Sequence, residues 1–272
     1  MQSFQEIELV YANELKAEFY RPDIADSEAV HLLVDIHGGA WSFGHRKRGR
    51  YYCRALAAQG IASLAIDFRQ GETHKHPAAS EDIARAIQFT QSLDIEARSL
   101  GLVGHSSGGH LALLSGLCPY KFTDTPAENI PLADFLIALW PVSDPISRYQ
   151  YARSRNAEAP ETWEPTFRPD KLLEGHQLYF GDEEIMASVA IQQILRTNEH
   201  THLPRVFIAQ PALDQNVPVL MSRTLHGALL AAGCDATLKI YPEVGHSFAQ
   251  KEGPQTENCI KDMIDFVFDT SL

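Results

Sequence analysis

The sequence predicts an α/β fold: a mostly parallel sheet of about eight strands with helices on both faces and an antiparallel hairpin at its N-terminal edge. Three observations carry this. HLLVDIH, IASLAIDF, SLGLVG, FLIALW, RVFIAQ and ATLKIY are short strand-like runs, most of them too continuously apolar to leave a face for water. Helical stretches lie between them, which is the alternation that builds parallel sheets. Before the first of these runs the pattern is different, apolar and polar residues taking turns as in a half-wet hairpin.

In chain order, EIELVY and LKAEFY alternate on either side of Ala12, Asn13 and Glu14 and form that hairpin. Helices are expected over Arg46 to Gln59, Ala79 to Ser92, Gly108 to Leu117, Val219 to Ala232 with Gly233 as its C′ residue, and Pro254 to Thr270. The last presents Ile260, Met263, Ile264 and Val267 on one face, a stripe that must be buried. One segment, 145–200, breaks the alternation. It is rich in aromatics and charges, as in RYQYARSRNAEAPETWEPTF, and carries a predicted helix near Glu183 to Thr197. A connection this long inside a domain is usually a working part such as a lid, the alternative being surface decoration. No linker, charge block or repeat divides the chain, so 1–272 reads as a single domain with 145–200 inserted.

Composition limits the function. The 272 residues are 44% hydrophobic and 21% charged, ordinary globular material, and the net charge of −12 disfavours nucleic acid and anionic membranes as partners. The opening MQSFQEIELVYANELKAEFY has acids and no apolar core of signal-peptide length, and no later stretch approaches ~18 apolar residues, so a cytoplasmic protein is expected. Cys53, Cys118, Cys234 and Cys259 lie far apart without C-x-x-C spacing, which points to buried reduced thiols and to neither disulfides nor zinc.

The chemistry concentrates at GHSSGGHLALL. Gly104 to Gly108 fits G-x-S-x-G between a strand and a helix, where a serine is held on a tight turn and its neighbours must be small. The bare pattern arises by chance in roughly one chain in ten of this length, so the flanking strand and helix carry more weight than the match. A serine hydroxyl needs a base, and the base an orienting carboxylate. Asp214 in QPALDQNVP and His246 in YPEVGHSF each follow a strand, where open α/β sheets collect their sites. A catalytic triad of Ser106, Asp214 and His246 is therefore expected. The loop DIHGGAWSFG supplies small residues that let backbone N–H groups approach a developing oxyanion, and the oxyanion hole is assigned to the N–H groups of Gly39, Ala40 and Ser107.

Other residues compete for roles. His226 lies within a helical pattern and is worse placed than His246; Asp182, Glu183 and Glu184 rival Asp214 but fall in the insertion. His37 is expected to hold the oxyanion loop by hydrogen bonding, and Asp67 and Asp144 to be structural. His74 with His76, and His200 with His202, lack further ligands nearby and read as solvated loop residues, so no metal is expected. The basic run HRKRGR, His45 to Arg50, is either the solvated start of a helix or an attractor for an anionic substrate. Trp41, Trp140, Trp163 and Phe248 are candidates for lining a substrate pocket, with core packing as the alternative.

HGGAW, DFRQGETHKHPAASEDIARAI, GHSSGGHLAL, the aspartate of PALDQNVP and the terminal GHSF together resemble the α/β-hydrolase serine esterases of the hormone-sensitive-lipase-like and kynurenine-formamidase-like group, from about Val30 onward. GHSSGG and HGGA stand where the lipase-like branch has GDSAGG and HGGG, which is closer to the bacterial esterase and formamidase branch. QPALD replaces the more usual glycine-containing turn before the acid. The resemblance implies an α/β-hydrolase fold and hydrolysis of carboxylic esters of small to medium acyl groups through an acyl-enzyme, with no cofactor. It leaves open an arylformamidase, amidase or lactonase using the same triad, and a non-catalytic ligand receptor on the same fold. It also implies a homodimer, which no residue pattern demonstrates.

Overall fold

A computed structural model describes residues 2–23, 29–158 and 167–269. The strands are β1 (Phe4–Ala12), β2 (Leu15–Pro22), β3 (Val30–Ile36), β4 (Ile61–Ile66), β5 (Ala97–His105), β6 (Phe135–Leu139), β7 (Arg205–Pro211) and β8 (Ala236–Tyr241). They form one eight-stranded sheet in the order β1-β2-β4-β3-β5-β6-β7-β8. β1 with β2 and β2 with β4 are antiparallel, and every later pairing is parallel. The continuously apolar runs are the inner strands: every residue of β3, β4 and β6 is buried. β8, at the edge, alternates partly buried with exposed positions until its last residue.

Successive residues of each inner strand feed opposite faces, as a period of two requires. Leu32, Val34 and Ile36 pack into one apolar layer, beneath α2 (Ala78–Phe89), α3 (Ser107–Leu117) and α8 (Val219–Ala231). Leu33, Val103 and Ile137 pack into the other, beneath α1 (Arg50–Ala57) and α9 (Pro254–Phe268). Cys259, Ile260, Met263 and Val267 of α9 are buried there, much as its stripe requires, with Ile264 half-buried at the margin. Gly233 follows α8 at φ +83°, the left-handed residue expected to end it. All four cysteines are buried and unpaired.

The segment 145–200 is more helical than its sequence pattern suggested. Among its described residues it holds α4 (Pro145–Asn156), α5 (Pro169–Phe180), α6 (Glu183–Ser188) and α7 (Ile191–Arg196). The single helix expected over 183–197 is broken at Val189 and Ala190. There the Val189 carbonyl accepts from His110 Nε2 (2.9 Å) and Ile191 N–H donates to Ser143 O (2.8 Å), so tertiary partners replace the intrahelical ladder. α4 and α5 each begin with a proline at the first turn, and Asp144 caps α4 by accepting from Ser147 N–H.

Candidate active site

β5 runs into α3 through Ser106, which sits at φ 55°, ψ −120°. That backbone is costly for a residue with a Cβ and persists only where its surroundings enforce it. Ser106 N–H donates to Leu139 O (3.0 Å), Val142 N–H donates to Ser106 O (3.0 Å), and the strand ends on both sides lock the turn. Gly108 is required by close approach: a Cβ there would lie 2.0 Å from Ile36 O. The serine thus stands at the carboxyl edge of the sheet, 6% exposed.

Past β7, Asp214 is clamped by its own loop, Oδ1 accepting from Asn216 N–H (2.8 Å) and Val217 N–H (2.9 Å). Its Oδ2 lies 2.8 Å from His246 Nδ1 on the loop after β8. A carboxylate only accepts, so Nδ1 carries the proton and the lone pair of Nε2 is left free for an incoming hydroxyl. The Asp182 side chain, one of the rivals, instead caps α6, Glu183 pairs with Arg153, and His226 Nε2 bonds Ala236 O.

The loop after β3 turns three successive residues to positive φ: Gly39 (142°), Ala40 (49°) and Trp41 (57°). At Gly39 only glycine fits, since a Cβ would lie 1.6 Å from Phe43 O. His37 does hold this loop, Nδ1–H donating to Gly38 O (3.0 Å) with its ring stacked on Phe68; burial pulls its pKa down to about 4, so it is neutral near pH 7. Asp67 is structural as expected, accepting from Arg46 N–H (2.7 Å). Gly39 N–H donates to Ser107 Oγ (3.0 Å), so of the three expected oxyanion donors it is the one already engaged.

Beneath the loop runs a buried column that sequence reasoning missed. Gly38 N–H donates to His105 Nε2 (2.9 Å), which requires the proton on Nδ1; that proton faces Tyr52 Oη (3.2 Å), and Tyr52 O–H donates to Asp35 Oδ1 (2.5 Å). Every donor in this chain has one direction available, so His105, the residue before Ser106, is tied to the loop after β3 in a single tautomer. Burial pulls the His105 imidazole well below its ordinary range and pushes the Asp35 carboxyl up to about 7.

Ser106 and His246 open into one cleft of about 780 Å³, walled by Phe43, Leu172, Leu178, Arg48 and Arg148 among others. Three of the expected pocket aromatics are packed elsewhere. Trp41 is 1% exposed, its indole N–H toward His110 Nδ1 (3.3 Å) and its rings against His176, Tyr179 and Phe180; the positive φ of the loop turns it inward as an anchor. Trp140 is fully buried, its ring 6.1 Å from that of His246, and Phe248 packs on Trp140 and Tyr241. Trp163 lies outside the described residues. His76 and His202 are half-buried rather than freely solvated: His76 packs on Phe122, and His202 Nε2 bonds Ala133 O (2.8 Å). Among the described residues no group of three His, Cys, Asp or Glu side chains is placed to hold a metal ion, and no helix is long and apolar enough to cross a membrane.

The sheet order, the strained serine between β5 and α3 and the acid and histidine after β7 and β8 define an α/β-hydrolase. The chain belongs to the BD-FAE family, whose model matches residues 17–229. It is 25% identical to the esterase LipC of Mycobacterium tuberculosis over 83% of its own length, and spans 55%, about half, of that relative. It is 26% identical to an acetyl-hydrolase of Streptomyces hygroscopicus over 88% of this chain and 74% of that one. Among solved structures, Thermogutta terrifontis esterase 2 phosphonylated by sarin superposes with a TM-score of 0.77 at 21% identity, covering 98% of this chain and 95% of the other.

Proposed function

We propose that the protein is a serine carboxylesterase acting on esters of small to medium acyl groups. The observation that carries the proposal is the joint opening of Ser106, on its strained turn, and of the Asp214–His246 pair into one cleft. In this reading Ser106 Oγ attacks the carbonyl carbon while His246 Nε2 takes its proton, and Asp214 holds the imidazole and stabilises its charge. The carbonyl oxygen becomes an oxyanion facing the N–H groups of Ala40 and Ser107, with Gly39 N–H shared between the oxyanion and Ser107 Oγ. His246 then gives its proton to the departing alcohol, leaving an acyl-Ser106. Water, deprotonated by the same nitrogen, attacks this ester; the acid departs and Ser106 recovers its proton.

The esterase and acetyl-hydrolase named among the relatives support this class of reaction. Segment 145–200 is read as a cap on a single catalytic domain, supported by Leu172, Gly175 and Leu178 of α5 in the cleft wall. The four buried, unpaired thiols support a reducing, cytoplasmic setting; the homodimer implied by the resemblance belongs to the same reading and is checked by sedimentation.

The test is the initial rate on p-nitrophenyl esters of graded acyl length, for the native chain and Ser106→Ala, with phosphonate labelling of Ser106 in parallel. Fast hydrolysis of short esters that drops by more than ~10³-fold in the variant is expected. Refusal of every ester while Ser106 still labels would move the reading to formamides, amides or lactones; absence of labelling would favour a ligand receptor.

A further inference from the structure

The basic run His45–Arg50 is divided by the fold. Arg46 pairs with Glu8, Glu18 and Asp67, Lys47 with Glu18 and Arg50 with Glu6, so these three cations are spent on the N-terminal hairpin and β4 end. Arg48 is not. Among the described residues no carboxylate lies within ion-pair range of it; its guanidinium sits 5.1 Å from the Phe43 ring centre, half-buried, in the wall of the catalytic cleft.

A second guanidinium reaches the same cleft from α4. Arg148 is 1% exposed, its Nε–H donates to Asn216 O (3.0 Å), and its Nη1 has no hydrogen-bond partner among the described residues. Asp214 is the acid it feels most, yet both oxygens of Asp214 are taken, by Asn216 N–H, Val217 N–H and His246. A buried guanidinium N–H without an acceptor is expensive to keep, which points to an acceptor that arrives from outside. The remaining charges in the wall cancel: Arg168 is paired with Asp170, and Lys171 with Glu174. In a chain of net charge −12, two guanidiniums that line the same cleft as Ser106, without carboxylate partners among the described residues, make the cleft locally attractive to anions.

We propose that Arg48 and Arg148 form a binding site for a carboxylate carried by the substrate, so that the preferred substrates are half-esters: carboxylic esters bearing a free carboxylate a few bonds from the scissile carbonyl. This rests on the ester-hydrolase reading and narrows it. Guanidinium forks match carboxylates in geometry as well as charge, and a partly desolvated site strengthens both.

The experiment measures kcat/KM for p-nitrophenyl hydrogen glutarate against p-nitrophenyl valerate, which places the charge on the acyl side. A second pair, 4-carboxyphenyl butyrate against phenyl butyrate with each rate normalised to alkaline hydrolysis, places it on the alcohol side. In one of the two pairs the native protein should favour the anion by about tenfold, with the preference shrinking as salt is raised. Arg48→Gln and Arg148→Gln should each lower that ratio by about fivefold or more, while Arg223→Gln, which removes an exposed charge from α8, should leave it in place. Because Arg148 is buried, Arg48→Gln decides the matter if the other variant does not fold. A native ratio near or below one in both pairs, or a ratio that survives Arg48→Gln, overturns the carboxylate site and leaves the esterase reading standing. Failure to hydrolyse any of the four esters removes the esterase reading itself, and the proposal with it.

Discussion

Replacing Asp35 by asparagine asks whether the column under the loop after β3 stores a protonated acid. Asp35 is completely buried, Oδ1 accepts from Tyr52 O–H (2.5 Å), and the buried Cys53 thiol also faces its carboxyl. Burial pushes its carboxyl from an ordinary 3.8 up to about 7, against the pull of the Tyr52 and Cys53 hydrogen bonds. Between those values the folded protein holds a proton that the unfolded chain releases. The corresponding stability is fully present below the unfolded value and is lost as pH rises through about 7. At 1.36 kcal/mol per pH unit the whole window is worth roughly 4 kcal/mol, and the part above about pH 5 roughly 2 to 3 kcal/mol. The asparagine side chain keeps an oxygen for Tyr52 and cannot ionise, so the Asp35→Asn variant should gain on the native protein by that amount between about pH 5 and about pH 8. Any fixed cost of placing an amide nitrogen where Oδ2 stands shifts the two curves by a constant and drops out of the comparison. Urea denaturation of both proteins across this range reads the difference directly. Two stability curves that stay parallel would refute the reasoning, because they would mean that Asp35 is already ionised in its buried site at the acid end.

The other predictions concern the loop that this column supports. Gly39→Ala should abolish esterase activity by more than ~10²-fold while circular dichroism stays native, since the added Cβ collides with Phe43 O in a loop and not in the core. Ser107→Ala frees Gly39 N–H from its present acceptor and should raise kcat on a short ester by about two- to fivefold; a tenfold fall would instead make Ser107 Oγ an anchor of the loop. Tyr52→Phe removes the link between His105 and Asp35 and should cost about 1 to 3 kcal/mol in denaturation, with a fall in kcat larger than any change in KM.

How much of this was legible beforehand depended on how local each signal is. The sheet could be read because burial on both faces forces its inner strands to be apolar without interruption, and VHLLVDI and IASLAI show it residue by residue. Ser106, Asp214 and His246 could be named because each lies just beyond a strand end, so chain order alone places them along one edge of the sheet. Of the helices of 145–200 only one, over 183–197, was read; the start signals Asp144-Pro145 and Pro169 went unused, and the break at Val189 could not be seen because its cause is a histidine on another helix. The aromatic wall was misread for a different reason. A tryptophan looks equally apolar whether it faces a ligand or a core, and only the positive φ values at Ala40 and Trp41 show that this loop turns its indole inward.

The features hardest to foresee join residues distant in sequence. Asp35 and Tyr52 are hydrogen-bonded across 17 positions, and Tyr52 and His105 across 53, so neither pairing leaves a spacing that a motif could register. Arg48 shows the same limit in reverse. Within HRKRGR it is indistinguishable from its neighbours, and it is set apart only because Glu6, Glu8, Glu18 and Asp67 come together to neutralise the others. A basic run therefore does not report a charged surface until its partners are subtracted. What remains after subtraction here is one guanidinium in the cleft that holds Ser106 and His246, and lining the same cleft is a second that the fold has buried without giving all its donors an acceptor among the described residues.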